Sequence, residues 1–190
     1  MAENSCRSQS QMMAEDNHNG LPPEILAFIS SNAGSSALQA PKEDQDGLQA
    51  VDMMKQVNKE SSEDMVALAH NLGNLTGAAV LELGPGQGFA TQALLKFHPK
   101  SITAVEVSPL FRKILTQEPA TKAAIDSKIL TIIEDDAVSL PLENNSIDIV
   151  LGMNVVYFLH PLETYLKEMQ RVLKPGGYLL FGTKQGGAKL

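Results

Sequence analysis

The sequence predicts an α/β fold built on a doubly wound parallel sheet. Short apolar runs alternate with amphipathic helical patterns from Val80 to Phe181. The first apolar run, Val80–Leu83, ends in Gly84-Pro85-Gly86-Gln87-Gly88, and a helical pattern follows at once. The next apolar run is closed by an acid, Glu106, 22 residues beyond Gly84. Alternating strands and helices imply parallel strands joined by right-handed crossovers. A strand, a glycine turn and a helix together present bare backbone N–H groups to a nucleotide-like ligand.

The elements follow in order. Helical patterns run from about Leu48 to Val57 and from Ser62 to Leu72. Ser61-Ser62-Glu63-Asp64 has the spacing of a capping box that opens the second helix, and Gly73 suits its stop. Strand one is Val80–Leu83. The helix after it places Phe89, Ala90, Ala93, Leu94 and Phe97 on one side. Strand two runs from Ser101 to Val107. Leu110 to Ile125 reads as helix broken at Pro119, and Ile129–Ile133 and Ile147–Leu151 as strands three and four. Pro161–Leu173 is a helix with Leu162, Tyr165, Leu166, Met169 and Val172 facing inward. Strand five is Tyr178–Phe181, after a turn at Lys174-Pro175-Gly176-Gly177.

Length and composition bound the function. A chain of 190 residues holds one domain plus an arm, and a 43% hydrophobic content is enough for a buried core. Residues 1–46 are rich in Ser, Asn, Gln and acids and read as a mostly disordered acidic arm, in which Pro22–Ile29 forms one short helix. Arg7 and Lys42 stand there against seven acids, a net charge of −5. Residues 47–190 form the folded domain, at a net −2. With no dense basic stripe, nucleic acid ranks well behind a small molecule as partner. No apolar run is long enough for a membrane span, and no secretory or transit signal opens the chain. Cys6 is the only cysteine. These features fit a cytoplasmic protein.

The spacing of the glycines narrows the ligand. A dinucleotide site needs G-x-G-x-x-G, and here Phe89 stands at the third glycine's place. Glu82 beside the turn repels a pyrophosphate but attracts a cationic amino-acid or sulfonium group. No G-x-x-x-x-G-K-[ST] run is present. Glu106, on the next strand, is placed to accept hydrogen bonds from a ribose diol.

At these residues the chain resembles the class I S-adenosylmethionine-dependent methyltransferases, of the small-molecule, type 11-like kind. Glu82-Leu83-Gly84-Pro85-Gly86-Gln87-Gly88 is similar to the family's E/D-x-G-x-G-x-G loop. Asp135-Asp136-Ala137 with Leu140-Pro141 resembles G-D-A-x-x-L-P, with Asp135 in place of the usual glycine. Ile147–Leu151 resembles the fourth strand, and Arg171-Val172-Leu173-Lys174-Pro175-Gly176-Gly177 the turn before the fifth. The resemblance covers roughly Asp52 to Thr183.

The resemblance implies a Rossmann-like sheet of order 3-2-1-4-5, with the ligand over the strand ends beside strand one. It implies S-adenosyl-L-methionine as cofactor, held by Glu82, Gly84, Gly86, Gly88, Glu106, Val107, Asp136, Ala137 and Asn154. Glu106 would take the ribose hydroxyls, Asp136 the adenine amino group, and Met153 and Asn154 the methionine end. It places the active centre in Gly152–His160. There Asn154 and Tyr157 are the catalytic candidates, Tyr157 and Phe158 an aromatic wall, and His160 a helix cap rather than a base. His70 reads as a surface or packed histidine and His98 as a loop residue. No metal is implied.

The implied activity is methyl transfer to a small-molecule acceptor. The family adds a helix and two strands beyond strand five, and the sequence stops before them. The expectation is therefore a truncated form, with strand five an exposed edge open to a partner or to self-association. A catalytically inactive binding protein or truncated isoform is the alternative, and a nicotinamide-dependent oxidoreductase is a third reading, disfavoured by Phe89 and Glu82.

Overall fold

The structure, a computed structural model, describes residues 45–183. Helix α1 (Gln45–Gly73) leads to β1 (Ala79–Leu83), α2 (Phe89–Leu95), β2 (Ser101–Val105), α3 (Pro109–Gln117), α4 (Pro119–Asp126) and β3 (Leu130–Ile133). Then come β4 (Ile147–Met153), a 3-10 turn (Val156–Phe158), α5 (Leu162–Val172) and β5 (Leu173–Gly182). The sheet is parallel throughout, in the order β3-β2-β1-β4-β5. The arm helix expected at Pro22–Ile29 lies outside the described residues.

Strand β1 is central and buried along its whole length. Its side chains alternate between two cores, as the pleat requires. Val80 joins Val66, Ala69, Ala93, Leu94, Ile149 and Leu151 under α1 and α2. Leu81 and Leu83 join Val150, Tyr165, Met169 and Val172 under α5. Full burial of a leucine contributes roughly 1.5–3 kcal/mol, so the middle of the sheet is well anchored.

The first two helical patterns are one helix. Ser61 and Ser62 lie inside α1, and Ser62 is buried. An interior serine costs only about 0.5 kcal/mol relative to alanine. Burial of Met65, Val66 and Ala69 offsets that, and no proline or glycine stands at the junction to break the turn. The helix stops at Gly73, as expected, with the residue after it rather than the glycine in the left-handed conformation. Asn74 takes the left-handed conformation and its N–H reaches the His70 carbonyl at 2.8 Å. Gly73 is glycine for space: a Cβ there would stand 2.9 Å from both Ile149 and Tyr178.

Two readings of α5 also change. Leu162 and Leu166 are each 38% exposed, and Glu168 is buried in the inner face instead. A carboxylate is tolerated there because Arg171 bonds both its oxygens, at 2.6 and 2.8 Å, and the Leu140 N–H adds a third bond at 2.6 Å. His160 is not the helix cap. Pro161 holds that position and no side chain caps the end. The turn before strand five lies within β5: Leu173 pairs with Ile147, Lys174–Gly177 stand out of register, and pairing resumes at Tyr178 with Ile149. Lys174 returns across this irregularity to Asp148, whose other oxygen accepts from Ala79 N–H.

Candidate functional site

The C-terminal ends of β1, β2 and β4 converge on the glycine loop. Gly84 N–H bonds the Val105 carbonyl at 2.9 Å, which ties the loop to β2. On the other flank a Cβ at Gly84 would stand 2.8 Å from Val155, the residue after Asn154. The loop therefore sits in the crevice where the strand order reverses, the place where ligands bind in open α/β sheets.

The glycines of the loop serve different ends. Gly88, at φ +82°, precedes α2, and a Cβ there would press on Leu115 at 2.7 Å. Gly86, at φ +56°, has no atom within 4 Å of where its Cβ would stand. That open ground is a cradle a side chain would fill. Glycine at Gly86 satisfies the positive φ and leaves the backbone approachable.

Glu106 lies just past β2 and is buried. One carboxylate oxygen accepts from Gly86 N–H at 3.0 Å and the other from Ser108 N–H at 2.9 Å. Burial raises its pKa, and the bonds from Ser108 and Gly86 and the charge of Arg112 oppose that rise. Each carboxylate oxygen offers about two acceptor sites, so acceptor capacity for a diol remains. Glu82 is buried within β1 and accepts a 2.7 Å bond from the Thr91 hydroxyl. Burial pushes its pKa up to about 7, with the Thr91 bond opposing and the charge of Glu106 adding to the rise. Two buried acids thus flank the loop and offer it oxygen acceptors rather than the fixed positive charge a pyrophosphate would need.

The remaining expected residues spread over three loops. Val107 offers its carbonyl to Arg112 at 2.8 Å. Asp136 is exposed and its carboxylate accepts from Val138 N–H, while Ala137, at φ +66°, is buried in the core under α5. Asp135 accepts from Ala137 N–H at 2.8 Å, so the acid at the usual glycine position braces the turn. Arg171 fastens this loop from α5, donating to the carbonyls of Leu140 and Leu142.

Asn154, at φ +55°, donates to Asn58 of α1 at 2.9 Å. Tyr157 and Phe158 form the half-buried 3-10 turn with Val156. His70 stacks on Phe97 at 4.4 Å and accepts from Leu75 N–H, and His98 sits in a loop, as the sequence implied. The structure thus brings Gly86, Glu106 and Glu82 together around one loop. It joins Asn154 to them through Val155 against Gly84, and leaves Asp136 on a separate turn.

Sequence reasoning missed Arg112, Asn58, Thr91 and Ser108. Thr91 and Ser108 stand beside motif residues and could have been read as their partners. Arg112 and Asn58 carry no local signal, because their partners are set by the fold.

Residues 81–181 match the family described as methyltransferase domain. The chain belongs to this methyltransferase-domain family. The family's cofactor is S-adenosyl-L-methionine, and the nicotinamide reading falls away. The domain is 30% identical over 135 residues to phthiotriol/phenolphthiotriol dimycocerosates methyltransferase 1 of Mycobacterium ulcerans, covering 69% of this chain and 48% of that one. It is 31% identical over 115 residues to a sterol 24-C-methyltransferase of Gibberella zeae, covering 60% of this chain and 29% of the relative. The chain thus spans about half the length, or less, of these curated relatives. The fold superposes on the crystal structure of a SAM dependent methyltransferase from Aquifex aeolicus with a TM-score of 0.57, at 20% identity and 70% coverage of each chain.

Proposed function

We propose that this chain transfers a methyl group from S-adenosyl-L-methionine to an apolar small-molecule acceptor, with residues 47–190 as the methyltransferase domain and the residues before it as an acidic arm. The observation that carries the cofactor half is the pairing of Gly86 with Glu106: open ground over a positive-φ glycine, beside a buried acid with acceptor capacity to spare.

The bound cofactor supplies a methyl group on a positively charged sulfur. The chain's own part is to bind, orient and exclude water. Glu106 accepts from the ribose hydroxyls, Gly86 lets the backbone approach, Val107 and Ala137 line the nucleoside side, and Asp136 takes the adenine amino group. Glu82, bonded to Thr91, supports the loop from beneath. Gly84 and Gly88 shape the turn, and Asn154 orients the methionine end. Methyl transfer is an in-line displacement that needs no protein nucleophile, so positioning supplies much of the rate.

Acceptor class is argued from the segment after β4. Met153, Val155, Val156, Tyr157 and Phe158 are all half-buried, an apolar wall at the strand ends. The relatives named for lipid-like substrates support the same reading. Tyr157 is the wall residue we assign to contact with the acceptor. The outer edge of β5, unpaired among the described residues, takes a further strand from this chain, a second copy or a partner. A cytoplasmic location belongs to this reading. Among the described residues, no helix is long and apolar enough to cross a membrane.

The test is calorimetric titration with S-adenosylhomocysteine and with NADH, followed by transfer of a labelled methyl group to a panel of sterols, long-chain alcohols and polar controls. Binding of S-adenosylhomocysteine alone, with label on an apolar acceptor, supports the proposal. Binding without transfer to any acceptor favours the inactive alternative, and no binding by the folded chain overturns the site.

A further inference from the structure

Arg112 lies on α3, outside every motif that marks the cofactor loop. Its side chain is 18% exposed. One guanidinium nitrogen donates to the carbonyls of Glu106 and Val107, at 2.9 and 2.8 Å. A second nitrogen meets Glu134, just past β3, at 2.7 Å.

The Val107 contact bears directly on the site. A trans peptide is planar, so its carbonyl and the next N–H point in opposite directions. The Val107 carbonyl faces Arg112. The Ser108 N–H of the same peptide faces the other way and donates to Glu106 Oε1 at 2.9 Å. Arg112 and the Glu106 carboxylate therefore grip one peptide plane from its two sides. Turning that plane would remove the Ser108 bond, one of the main-chain bonds that aim the carboxylate. The ion pair with Glu134 holds the guanidinium itself against the end of β3.

We propose that Arg112 is a positioning residue for the ribose of the cofactor, acting through the Val107–Ser108 peptide to fix the direction of the Glu106 carboxylate. The inference rests on the reading of Glu106 as the ribose-binding acid. A lysine cannot take its place, since an ammonium lacks the planar fork that reaches both carbonyls and Glu134 together.

The test compares two ligands, S-adenosylhomocysteine and its 2′,3′-dideoxy analogue, on wild type, R112Q, R112K, E106Q and the double variant R112Q/E106Q. Titration calorimetry reads affinity, and a thermal melt confirms that each variant is folded. The expected result is an R112Q that binds S-adenosylhomocysteine about tenfold more weakly, as for loss of a charged hydrogen-bond partner, with the dideoxy analogue unchanged. R112K should fall between, and the double variant should bind no more weakly than E106Q. Equal losses for both ligands would show a general structural role and overturn the proposal, as would additive losses in the double variant. If R112Q fails to fold, R112K carries the same comparison. A folded wild type that binds S-adenosylhomocysteine without preferring it to the analogue overturns the role of Glu106 and the proposal together, while binding of neither ligand overturns the reading of the whole site.

Discussion

The ends of β1 and β2 differ in kind from the end of β4. At the first, Glu106 is buried and fastened by main-chain N–H groups, Glu82 is held by Thr91, and the ground over Gly86 is open. At the second, the chain leaves the sheet as half-buried apolar side chains, and Asn154 bonds Asn58 of a distant helix and, through its N–H, the Gly182 carbonyl of β5. On the proposed reading, the first region suits a ligand whose polar groups need partners in set directions, and the second suits shape and apolar contact.

The largest expected effect would break this contrast on the cofactor side. Gly86→Val should reduce S-adenosylhomocysteine affinity at least about a hundredfold, since a side chain fills the cradle and the positive φ adds roughly 1–2 kcal/mol of strain. The fold should persist, because no atom lies within 4 Å of the new Cβ. Calorimetry with a parallel melt separates the two, and retained binding would show that the ligand does not approach there.

Glu106→Ala comes next, at about 1–3 kcal/mol of lost affinity, as for removal of a charged hydrogen-bond partner. Its methyl-transfer rate at saturating cofactor should stay close to wild type, a split visible in steady-state kinetics. An equal fall in that rate would mean that Glu106 also orders the acceptor side.

A third test uses pH. Burial raises the Glu82 pKa from 4.5 to about 7, so between those values the folded chain holds a proton that the unfolded chain has released. Stability from this group is then full below pH 4.5, falls as pH rises through the window, and levels off above pH 7. The slope is at most about 1.4 kcal/mol per pH unit. Urea unfolding at points across the window should show the fall, and Glu82→Gln should flatten it. An unchanged slope in the variant would place the effect elsewhere.

The smallest effect sharpens the other region. Asn58→Ala removes the partner of Asn154 and should cost about 1 kcal/mol of stability. Cofactor affinity should fall by about twofold, under 0.5 kcal/mol, since Asn154 is assigned only the methionine end, while kcat/KM for the acceptor falls further. A larger loss of cofactor affinity would join the two regions into one.

Much of the cofactor region was legible before folding was considered. Val80–Leu83, the three glycines and Glu106 are close in chain order, and their spacing reflects a strand, a turn and the next strand. Readings that failed were decided by packing. Ser61 and Ser62 look like a helix start but are carried inside α1 by the burial of Met65 and Val66. Leu162 and Leu166 have inward spacing, yet Glu168 took the inner face because Arg171 and the Leu140 N–H satisfy its charge. Gly73 does end α1, but the left-handed residue is Asn74, and the glycine serves close contact with Ile149 and Tyr178.

By itself the sequence determined the alternation of strands and helices, the glycine loop and the acid that faces it, because these depend on neighbours along the chain. Only the tertiary structure decided that Arg112 grips the Glu106 turn and that Asn58 meets Asn154 across 96 residues. Right-handed crossovers return each strand end to the same edge of the sheet. The partners that meet there are chosen by the packing of helices on the sheet, which no short stretch of sequence contains.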